Sequence, residues 1–404
     1  MKYIEGSVTA AKGFKASGVH CGIRKNKSKR DIGLIYCEKK CTAAAVYTTN
    51  LVQSSPITIT RKNLADGYAQ AVIANSGNAN TCNADGDKKA WAMCELTAKE
   101  LGISADDVIV ASTGVIGQVL PIEPIAEGIP ALVKELSVEG STDVAEAIMT
   151  TDTVKKEVAV ETVIGGKTVK IGGISKGSGM IHPNMATMLC FVTTDAAISA
   201  EMIQKAVKTA AESTFNMISI DGDTSTNDML SVMASGLAEN EEITAEGEDY
   251  DAFVEALTAV CRDLSRKMAK DGEGATKLLV CKVSGAKTEK DAKGVAKSVI
   301  CSSLLKAAMF GADANWGRVL CAIGYSGCDV DVNKVDVSFA SEYGTIDVCK
   351  NGAGIDFSEE LAKEILIRDE IDILVSLNDG EGYAEAYGCD LTYDYVKING
   401  DYRT

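Results

Sequence analysis

The stretch GSGMIHPNMATMLCFVTTDA spans residues 177–196, near the middle of a chain of 404 residues. It places His182, one of only 2 histidines, and a Pro-Asn turn just ahead of the Ala186-Thr187 bond, and then becomes an apolar, strand-like run. Two interpretations fit this order. Thr187 either opens a β-strand, where β-branched side chains are common, or it breaks the preceding peptide bond and becomes a nucleophile at a new chain start.

A threonine at a chain start needs no histidine, because its free α-amine can take the proton of its own hydroxyl. That amine has a reference pKa of ~7.7–8.0, so a large fraction is unprotonated near neutrality. Thr187 Oγ could itself attack the Ala186 carbonyl and give an ester that water hydrolyses. The small preceding residue and the tight turn HPNMA suit that attack.

The composition excludes several classes of partner. The net charge of −16 disfavours nucleic acid and anionic membrane surfaces. Residues 1–186 carry 21 Lys+Arg and 19 Asp+Glu, whereas residues 187–404 carry 20 and 38, which is compatible with two complementary pieces. The opening stretch lacks an apolar signal core and no run approaches 18 apolar residues, so we expect a soluble, cytoplasmic protein.

The familiar catalytic and cofactor motifs are missing from the sequence. The 13 cysteines include no C-x-x-C pair, and with 2 histidines no zinc constellation assembles by spacing. We therefore expect no metal and mostly buried free thiols in a reducing compartment. The chain has no phosphate loop and no G-x-G-x-x-G after a strand.

Strand and helix patterns mix along the chain without strict βαβ alternation, which favours an α/β (α+β) layered sandwich over a doubly wound nucleotide fold. The periodicity predicts a hairpin over 156–174 around Gly165-Gly166 and strands within 68–80, 106–120, 187–194 and 276–286. It predicts helices over 89–102, 200–214 and 249–270.

The segment KGSGMIHPNMATML resembles the signature of the ornithine acetyltransferase family of arginine biosynthesis, also called the ArgJ family. Further stretches resemble that family in order along the whole chain: NSGNAN (75–80), STGVIG (112–117), MTTDT (149–153), SIDGDTSTND (219–228), GEGATK (272–277), FGADANWGR (310–318) and the terminal INGDYRT. One departure is Val154-Lys155-Lys156, where the family often has a proline; we interpret it as affecting a turn only.

The resemblance implies a fold and a reaction. The fold is the αββα-type sandwich of the self-processing aminopeptidases and ornithine acetyltransferases. Cleavage between Ala186 and Thr187 gives an α chain, residues 1–186, and a β chain, residues 187–404. Thr187 takes acetyl from N-acetylornithine, releases ornithine, and passes the acetyl group to glutamate in a ping-pong sequence.

The resemblance also implies site residues. Thr113 and Gly114 match the oxyanion pair, and His182 belongs to the processing turn or to packing. Trp316 and Arg318 stay outside the site. The substrate-binding positions that match are Thr150, Lys176, Thr187, Glu273, Asn399 and Thr404.

Several points stay open at the level of sequence. The resemblance implies no cofactor and an α2β2 heterotetramer, with no nucleic-acid or membrane partner, but acetyl-CoA use as a second acetyl donor is undecided. One rival is an aminopeptidase or amidase of the same fold that passes its acyl group to water. The other is an uncleaved, non-enzymatic amino-acid-binding protein.

Overall fold

A computed structural model describes residues 1–182 and 188–401. The described residues form two compact units. The first unit comprises Met1–Gly177, residues 188–216 and Thr224–Leu264, and the second comprises Ser178–His182, Met217–Asp223 and residues 265–401. The first unit therefore draws on both sides of the proposed 186–187 cleavage point.

The strands come in the order β1 Lys2–Ile4, β2 Phe14–Val19, β3 Ile32–Tyr47, β4 Tyr68–Asn78, β5 Val108–Val115, β6 Lys156–Ile164, β7 Lys167–Lys176, β8 Leu189–Thr194, β9 Ile218–Ser219, β10 Met229–Ala234, β11 Leu278–Ala286, β12 Asp336–Ser341, β13 Gly344–Lys350, β14 Ala353–Gly354, β15 Glu370–Ser376 and β16 Gly382–Cys389. The helices are α1 Ser55–Asn63, α2 Gly86–Leu101, α3 Ile122–Lys134, α4 Ser141–Ala147, α5 Ala200–Ser213, α6 Glu248–Lys270, α7 Glu289–Cys301, α8 Ser303–Phe310, α9 Trp316–Gly324, α10 Glu359–Leu366 and α11 Tyr393–Gly400.

The first unit is built on one sheet, in which the described strands follow the order β1-β6-β7-β8-β10-β3-β4-β5, with β2 paired to the first half of β3. The predicted hairpin is β6–β7, and its turn glycines Gly165 and Gly166 have φ of 55° and 73°, as a two-residue type I′ turn requires. The pairs β4–β5 and β8–β10 are parallel, and α2 and α5 lie between them in sequence as crossover helices.

Alternating side chains of this sheet enter two different hydrophobic cores, as the two-residue period of a strand dictates. Leu34, Ile73 and Val110 pack in one core, which also includes residues of α2 and α3. Ile35 and Val72, each one position away, pack in the other core with residues of α4 and β8. Both faces of the sheet are thus buried, which explains why these strands are continuously apolar.

The second unit has its own sheet, in the order β14-β13-β12-β15-β11-β16-β9 among the described strands. Helix α7 packs on it, and Val295 and Val299 share a core with Leu279 and Val283 of β11. The predicted α/β class, with two sheets and flanking helices, is confirmed. The predicted helices over 89–102, 200–214 and 249–270 are present as α2, α5 and α6.

All 13 cysteines lie among the described residues and are free thiols. Eight are buried, which agrees with the prediction of mostly buried thiols. In the described part of the chain, no helix combines the length and the hydropathy needed to span a bilayer.

Candidate active site

The predicted oxyanion pair lies at the end of β5, where that strand runs parallel to β4. Ser76 pairs with Thr113 and Gly77 with Gly114. Gly114 has a φ of 132°, and a Cβ there would lie 2.4 Å from the backbone carbon of Gly77. Only glycine fits this close approach of two strands, so packing alone requires Gly114.

Lys176 is brought to this strand end by β7, whose last residue it is. Its Nζ donates a hydrogen bond of 3.3 Å to Oγ1 of Thr113, and both side chains are buried. Because the hydroxyl oxygen accepts this bond, the hydroxyl hydrogen remains able to point elsewhere. Two residues that lie 63 positions apart in the sequence therefore meet in one polar contact.

Asp152, which no sequence motif marked as a site residue, contacts the backbone at Thr150 and at Gly177, the residue after Lys176. Its Oδ1 accepts 2.7 Å bonds from Lys156 Nζ and from the Gly177 N–H, and its Oδ2 accepts a 3.0 Å bond from the Thr150 N–H. Burial raises the pKa of Asp152, but the positive charges of Lys176 and Lys156 outweigh it and hold the pKa well below the usual range. Asp152 is therefore a buried carboxylate that fixes the backbone beside Lys176.

The interpretation of residues 154–156 as only a turn was incomplete. Lys156 is fully buried and pairs with Asp152. A buried ammonium requires a partner of opposite charge, so this lysine belongs to the support of the site. The spacing of Asp152 and Lys156 did not signal this pair, because acid–base contacts four residues apart are expected on helices and Lys156 begins β6.

A second buried carboxyl, Asp228, directly precedes β10 and also interacts electrostatically with Lys176. Burial raises its pKa well above the usual range, although hydrogen bonds with Ser225 and Thr48 and the charge of Lys176 oppose this shift. Among the described residues, Oδ2 of Asp228 has no hydrogen-bond partner. The charge of Lys176 acts on both carboxyls, and their pKa values are shifted in opposite directions.

A buried hydrogen-bond network next to Thr113 connects the motifs NSGNAN, STGVIG and SIDGDTSTND. Asn227 donates from Nδ2 to the carbonyls of Ser112 (2.8 Å) and Ala79 (2.6 Å), and its Oδ1 accepts from Thr81 (2.8 Å). The Ser112 hydroxyl donates to Asn75 Oδ1 at 2.6 Å. These bonds satisfy polar groups at the strand ends and hold the Thr113 turn in place.

In the second unit, the predicted substrate residues Glu273 and Asn399 meet each other. Asn399, on α11, donates from Nδ2 to Glu273 Oε2 at 2.7 Å. Glu273 is buried, and its backbone N–H donates to the Ser178 carbonyl at 2.8 Å. A Cβ at Gly179 would lie 2.4 Å from the Glu273 carboxyl carbon. Gly179, in the segment KGSGMIHPNMATML, therefore makes room for this carboxylate.

Asp221 anchors the residues just ahead of 183–187, and this role was missed in the sequence. Its carboxylate accepts hydrogen bonds from the backbone N–H groups of Met180 (2.6 Å) and Ile181 (2.9 Å). Burial and a hydrogen bond with Asp221 raise the pKa of Tyr395 on α11. One carboxylate thus contacts both the approach to Thr187 and the helix that carries Asn399. The motif SIDGDTSTND contains Asp221, but only the fold reveals its partners.

Three predicted residues, Ala186, Thr187 and Thr404, lie outside the described residues. The other predicted residues form two groups, one within each unit: Thr113, Gly114, Thr150 and Lys176 in the first, and Glu273 and Asn399 in the second. In residues 1–182 and 188–401, no cluster of three or more His, Cys, Asp or Glu side chains is arranged to hold a metal ion.

Comparison with known proteins places this geometry in a family. The model of the ArgJ family matches residues 15–404. The chain belongs to the ArgJ family. It is 50% identical over 405 residues to the arginine biosynthesis bifunctional protein ArgJ of Caldanaerobacter subterraneus subsp. tengcongensis, with 100% of both chains covered. It is also 50% identical over 403 residues to the protein of that name from Bacillus subtilis, covering 99% of this chain and 97% of that protein.

A solved structure agrees with the ArgJ family assignment. The crystal structure of arginine biosynthesis bifunctional protein argJ from Bacillus halodurans is 50% identical and superposes with a TM-score of 0.50. The match covers 52% of this chain and 97% of that chain. The predicted family and the predicted enzyme class, an acetyltransferase of the ArgJ family, are confirmed.

The aromatic and basic residues that were left outside the site have structural roles in this ArgJ-family chain. Trp316 begins α9 and packs against the core of the second unit, and a Cβ at Gly354 would lie 2.4 Å from its ring. Arg318 donates from Nη1 to the Leu304 carbonyl at 2.5 Å. Trp316 thus packs α9 against β14, and Arg318 links α9 to α8.

Proposed function

We propose that this chain is an autoprocessed N-acetyltransferase that moves acetyl from N-acetylornithine to glutamate. The observation that carries the proposal is the contact of Lys176 with Thr113 at the end of β5. An ammonium that donates to the Thr113 hydroxyl oxygen leaves the hydroxyl hydrogen to an oxyanion, with the Gly114 N–H as the second donor. Membership of the ArgJ family supports acyl transfer as the reaction for which these donors are used.

The first step we propose is processing. Thr187 Oγ attacks the Ala186 carbonyl carbon, the peptide C–N bond breaks as the acyl group moves to oxygen, and water hydrolyses the ester. The products are a carboxylate on Ala186 and a free α-amine on Thr187. The match to the Bacillus halodurans structure supports this step, because nearly all of that crystallised chain corresponds to only about half of this one.

Acetyl transfer follows in two half-reactions. The α-amine of Thr187 takes the hydroxyl proton while Oγ attacks the acetyl carbonyl of N-acetylornithine, and the Thr113–Gly114 pair holds the oxyanion. The C–N bond breaks, the proton passes to the leaving amine, and ornithine departs. The amine of glutamate then attacks acetyl-Thr187, and N-acetylglutamate leaves with Thr187 regenerated.

Substrate recognition requires groups for an α-carboxylate and for amines. We assign the Lys176 ammonium to a substrate carboxylate and the Glu273 carboxylate to a substrate amine. Asn399 fixes one oxygen of Glu273, and Asp152 fixes the backbone of Thr150, whose hydroxyl we assign to substrate. Thr404 is proposed as a further contact. These side chains would act without a resident cofactor or metal.

We extend the proposal to assembly, location and a second donor. The relatives carry the word bifunctional in their names, which supports a second activity, and we assign it to acetylation of glutamate by acetyl-CoA. We place the enzyme in the cytoplasm as an α2β2 assembly. Light scattering should then give about twice the 42.5 kDa of one chain.

The decisive experiment measures ornithine release from N-acetylornithine with and without glutamate. If the enzyme is a transferase, ornithine release should depend on glutamate. N-acetylglutamate should then form in an amount equal to the ornithine released. Release that is unaffected by glutamate would instead establish the rival hydrolase. Intact-mass analysis should show fragments 1–186 and 187–404, and Thr187→Ala should stay full-length and inactive. Cleavage that persists in this variant would refute self-processing.

A further inference from the structure

The basic stretch GIRKNKSKR (22–30) lies in the loop between β2 and β3, and none of its residues takes part in the proposed reaction. Its three lysines are exposed, as is usual for a solvated charged loop. Arg24 differs from them, because it is half-buried and its guanidinium contacts the main chain at Thr150, 126 positions along the sequence. This one cation of the loop therefore reaches a predicted substrate residue.

Arg24 holds the peptide group between Met149 and Thr150 from its carbonyl side. Its Nη2 donates to the Met149 carbonyl at 2.5 Å and to the Thr150 carbonyl at 3.5 Å. The N–H of the same Met149–Thr150 peptide group donates to Asp152 Oδ2 at 3.0 Å. Because a peptide group is planar, hydrogen bonds on its carbonyl and on its N–H together fix its orientation. Arg24 and Asp152 thus fix the main chain that carries the Thr150 side chain.

The side chain of Arg24 also packs against the strand end that carries the predicted oxyanion pair. Gly77 has a φ of 95°, and a Cβ there would lie 3.0 Å from Arg24 Cγ. Gly77 is also the residue against which Gly114 packs, since a Cβ at Gly114 would lie 2.4 Å from the backbone carbon of Gly77. Arg24 therefore connects the neighbour of the oxyanion pair with the main chain of Thr150.

A buried carboxylate holds the backbone of Arg24 in place. Asp31 is fully buried, and its carboxylate accepts hydrogen bonds from the backbone N–H groups of Cys21 (2.6 Å), Gly22 (3.2 Å) and Arg24 (2.9 Å). The backbone carbonyl of Asp31 accepts a 2.9 Å bond from the N–H of Ser76 on β4. The loop is thus tied to β4, and this tie fixes where the Arg24 side chain begins.

We propose that Arg24 is a positioning residue of the acetyltransferase, which fixes the Met149–Thr150 peptide group relative to Gly114 so that the Thr150 hydroxyl meets the substrate. In this role Arg24 acts through Thr150 and touches neither substrate nor reacting atoms. A guanidinium suits the role because it offers several N–H donors in one rigid plane, whereas a lysine ammonium is a point charge on a flexible stem. The role rests on the proposed function, in which the Thr150 hydroxyl binds substrate.

A double-mutant cycle between Arg24 and Thr150 tests this role. Steady-state ornithine release from N-acetylornithine, with glutamate present, gives kcat and KM for the wild type, Arg24→Met, Thr150→Val and the double variant. Methionine has no N–H donor but keeps an unbranched side chain that can pack on Gly77. Each single variant should raise KM about tenfold with kcat within about threefold, and the double variant should raise KM no further. Independent effects would instead multiply, so a rise of about a hundredfold in the double variant would overturn the role.

Two further variants separate positioning from folding. Arg30→Met is the matched control, because Arg30 is half-buried in the same loop but donates to the Gly18 carbonyl and pairs with Asp143 and Glu146. It should lower the free energy of unfolding in urea without changing KM. Arg24→Lys retains a charged donor and should raise KM less than Arg24→Met does. If Arg24→Met does not fold, Arg24→Lys takes its place in the cycle.

The outcomes distinguish this role from the proposed function. Ornithine release gives KM whether the acetyl group passes to glutamate or to water, so the cycle decides the role of Arg24 under either reaction. Wild-type protein that releases no ornithine would overturn the proposed function and this role together. An active wild type whose KM is unchanged in Arg24→Met would overturn the role of Arg24 alone.

Discussion

The carboxylate of Glu273 lies directly against the backbone at Gly179, where a Cβ atom would come within 2.4 Å of the Glu273 carboxyl carbon. Gly179 does not have a positive φ, so its requirement for glycine comes from this close approach rather than from backbone conformation. The segments KGSGMIHPNMATML and GEGATK therefore pack closely at Gly179 and Glu273. Adding one methyl group at Gly179 tests whether the position of Glu273 matters for substrate binding.

Gly179→Ala should displace the Glu273 carboxylate and weaken its hydrogen bond with Asn399. We expect KM for the substrate whose amine Glu273 binds to rise about tenfold or more, since a hydrogen bond to a charged group is worth ~1.5–3 kcal/mol. Steady-state kinetics measures this change. Gly324→Ala is the matched control, because a Cβ there meets open space at the end of α9. Unchanged KM in Gly179→Ala would argue against Glu273 as a substrate residue.

Thr113→Val should remove the hydroxyl donor and keep the shape of the side chain. The loss of one oxyanion donor costs ~2.7–4 kcal/mol of barrier, so kcat should fall about 10²–10³-fold. Thr113→Ser retains the hydroxyl and should retain most of the activity. Single-turnover acetylation of Thr187, followed by intact mass, separates this effect from substrate binding. A Thr113→Val enzyme with wild-type kcat would remove Thr113 from the mechanism.

Asp152→Asn should destabilise the first unit, because it leaves the buried Lys156 ammonium without its carboxylate. Breaking such a pair costs ~3–5 kcal/mol, measured as the free energy of unfolding in urea. The folded pKa of Asp152 is depressed, so its contribution is fully present above the unfolded pKa of ~3.9 and is lost as pH falls through the folded pKa. The difference in free energy of unfolding between Asp152→Asn and the wild type should therefore decrease only at pH values below ~3.9.

The control for this variant is Glu161→Gln, which removes the exposed ion pair of Glu161 with Lys2. Exposed pairs contribute ~0–1 kcal/mol, so this change should barely alter the free energy of unfolding. Similar losses in Asp152→Asn and Glu161→Gln would show that the Lys156 pair is not the support that its burial indicates.

Asp228→Asn should change the free energy of unfolding in the opposite direction to Asp152→Asn and stabilise the protein as pH rises. The folded pKa of Asp228 is raised, so the folded chain keeps a proton that the unfolded chain releases above ~3.9. Wild-type stability therefore falls as pH rises from there toward the folded pKa, and the asparagine variant avoids this loss. Urea unfolding from acid to neutral pH should show Asp228→Asn gaining on the wild type. If the stability of Asp228→Asn relative to the wild type instead fell with rising pH, Asp228 would be ionised in the folded protein.

Local patterns predicted much of the fold. The Gly165-Gly166 turn fixed the β6–β7 hairpin, and apolar spacing located α5 and α6, because turn chemistry and helical periodicity act over a few residues. The motifs also supplied Lys176 and Thr113, but nothing in their spacing indicated that they touch. Their contact depends on the order of strands in the sheet, which sequence periodicity does not encode.

The carboxyls that support the site were missed for the same reason. Asp152, Asp221 and Asp228 all lie inside stretches that resemble the family, yet aspartate in a loop is ordinarily a turn residue. Their roles follow from burial and from partners far along the chain, such as Gly177 for Asp152 and Met180 for Asp221. A motif can be recognised from its sequence alone. The charge state of its residues depends on burial and on the residues that the fold places beside them.

The pairing of β8 has a consequence for what the cut would do. Strand β8 lies between β7 and β10, and β10 in turn pairs with β3, so segments from both sides of residue 186 alternate within one sheet. The two products would stay joined by main-chain hydrogen bonds at two strand borders, β7–β8 and β10–β3. Severing the bond would thus create a chemical end without creating a separable subunit. Gel filtration in native buffer should elute both pieces as one species, and only denaturant should part them.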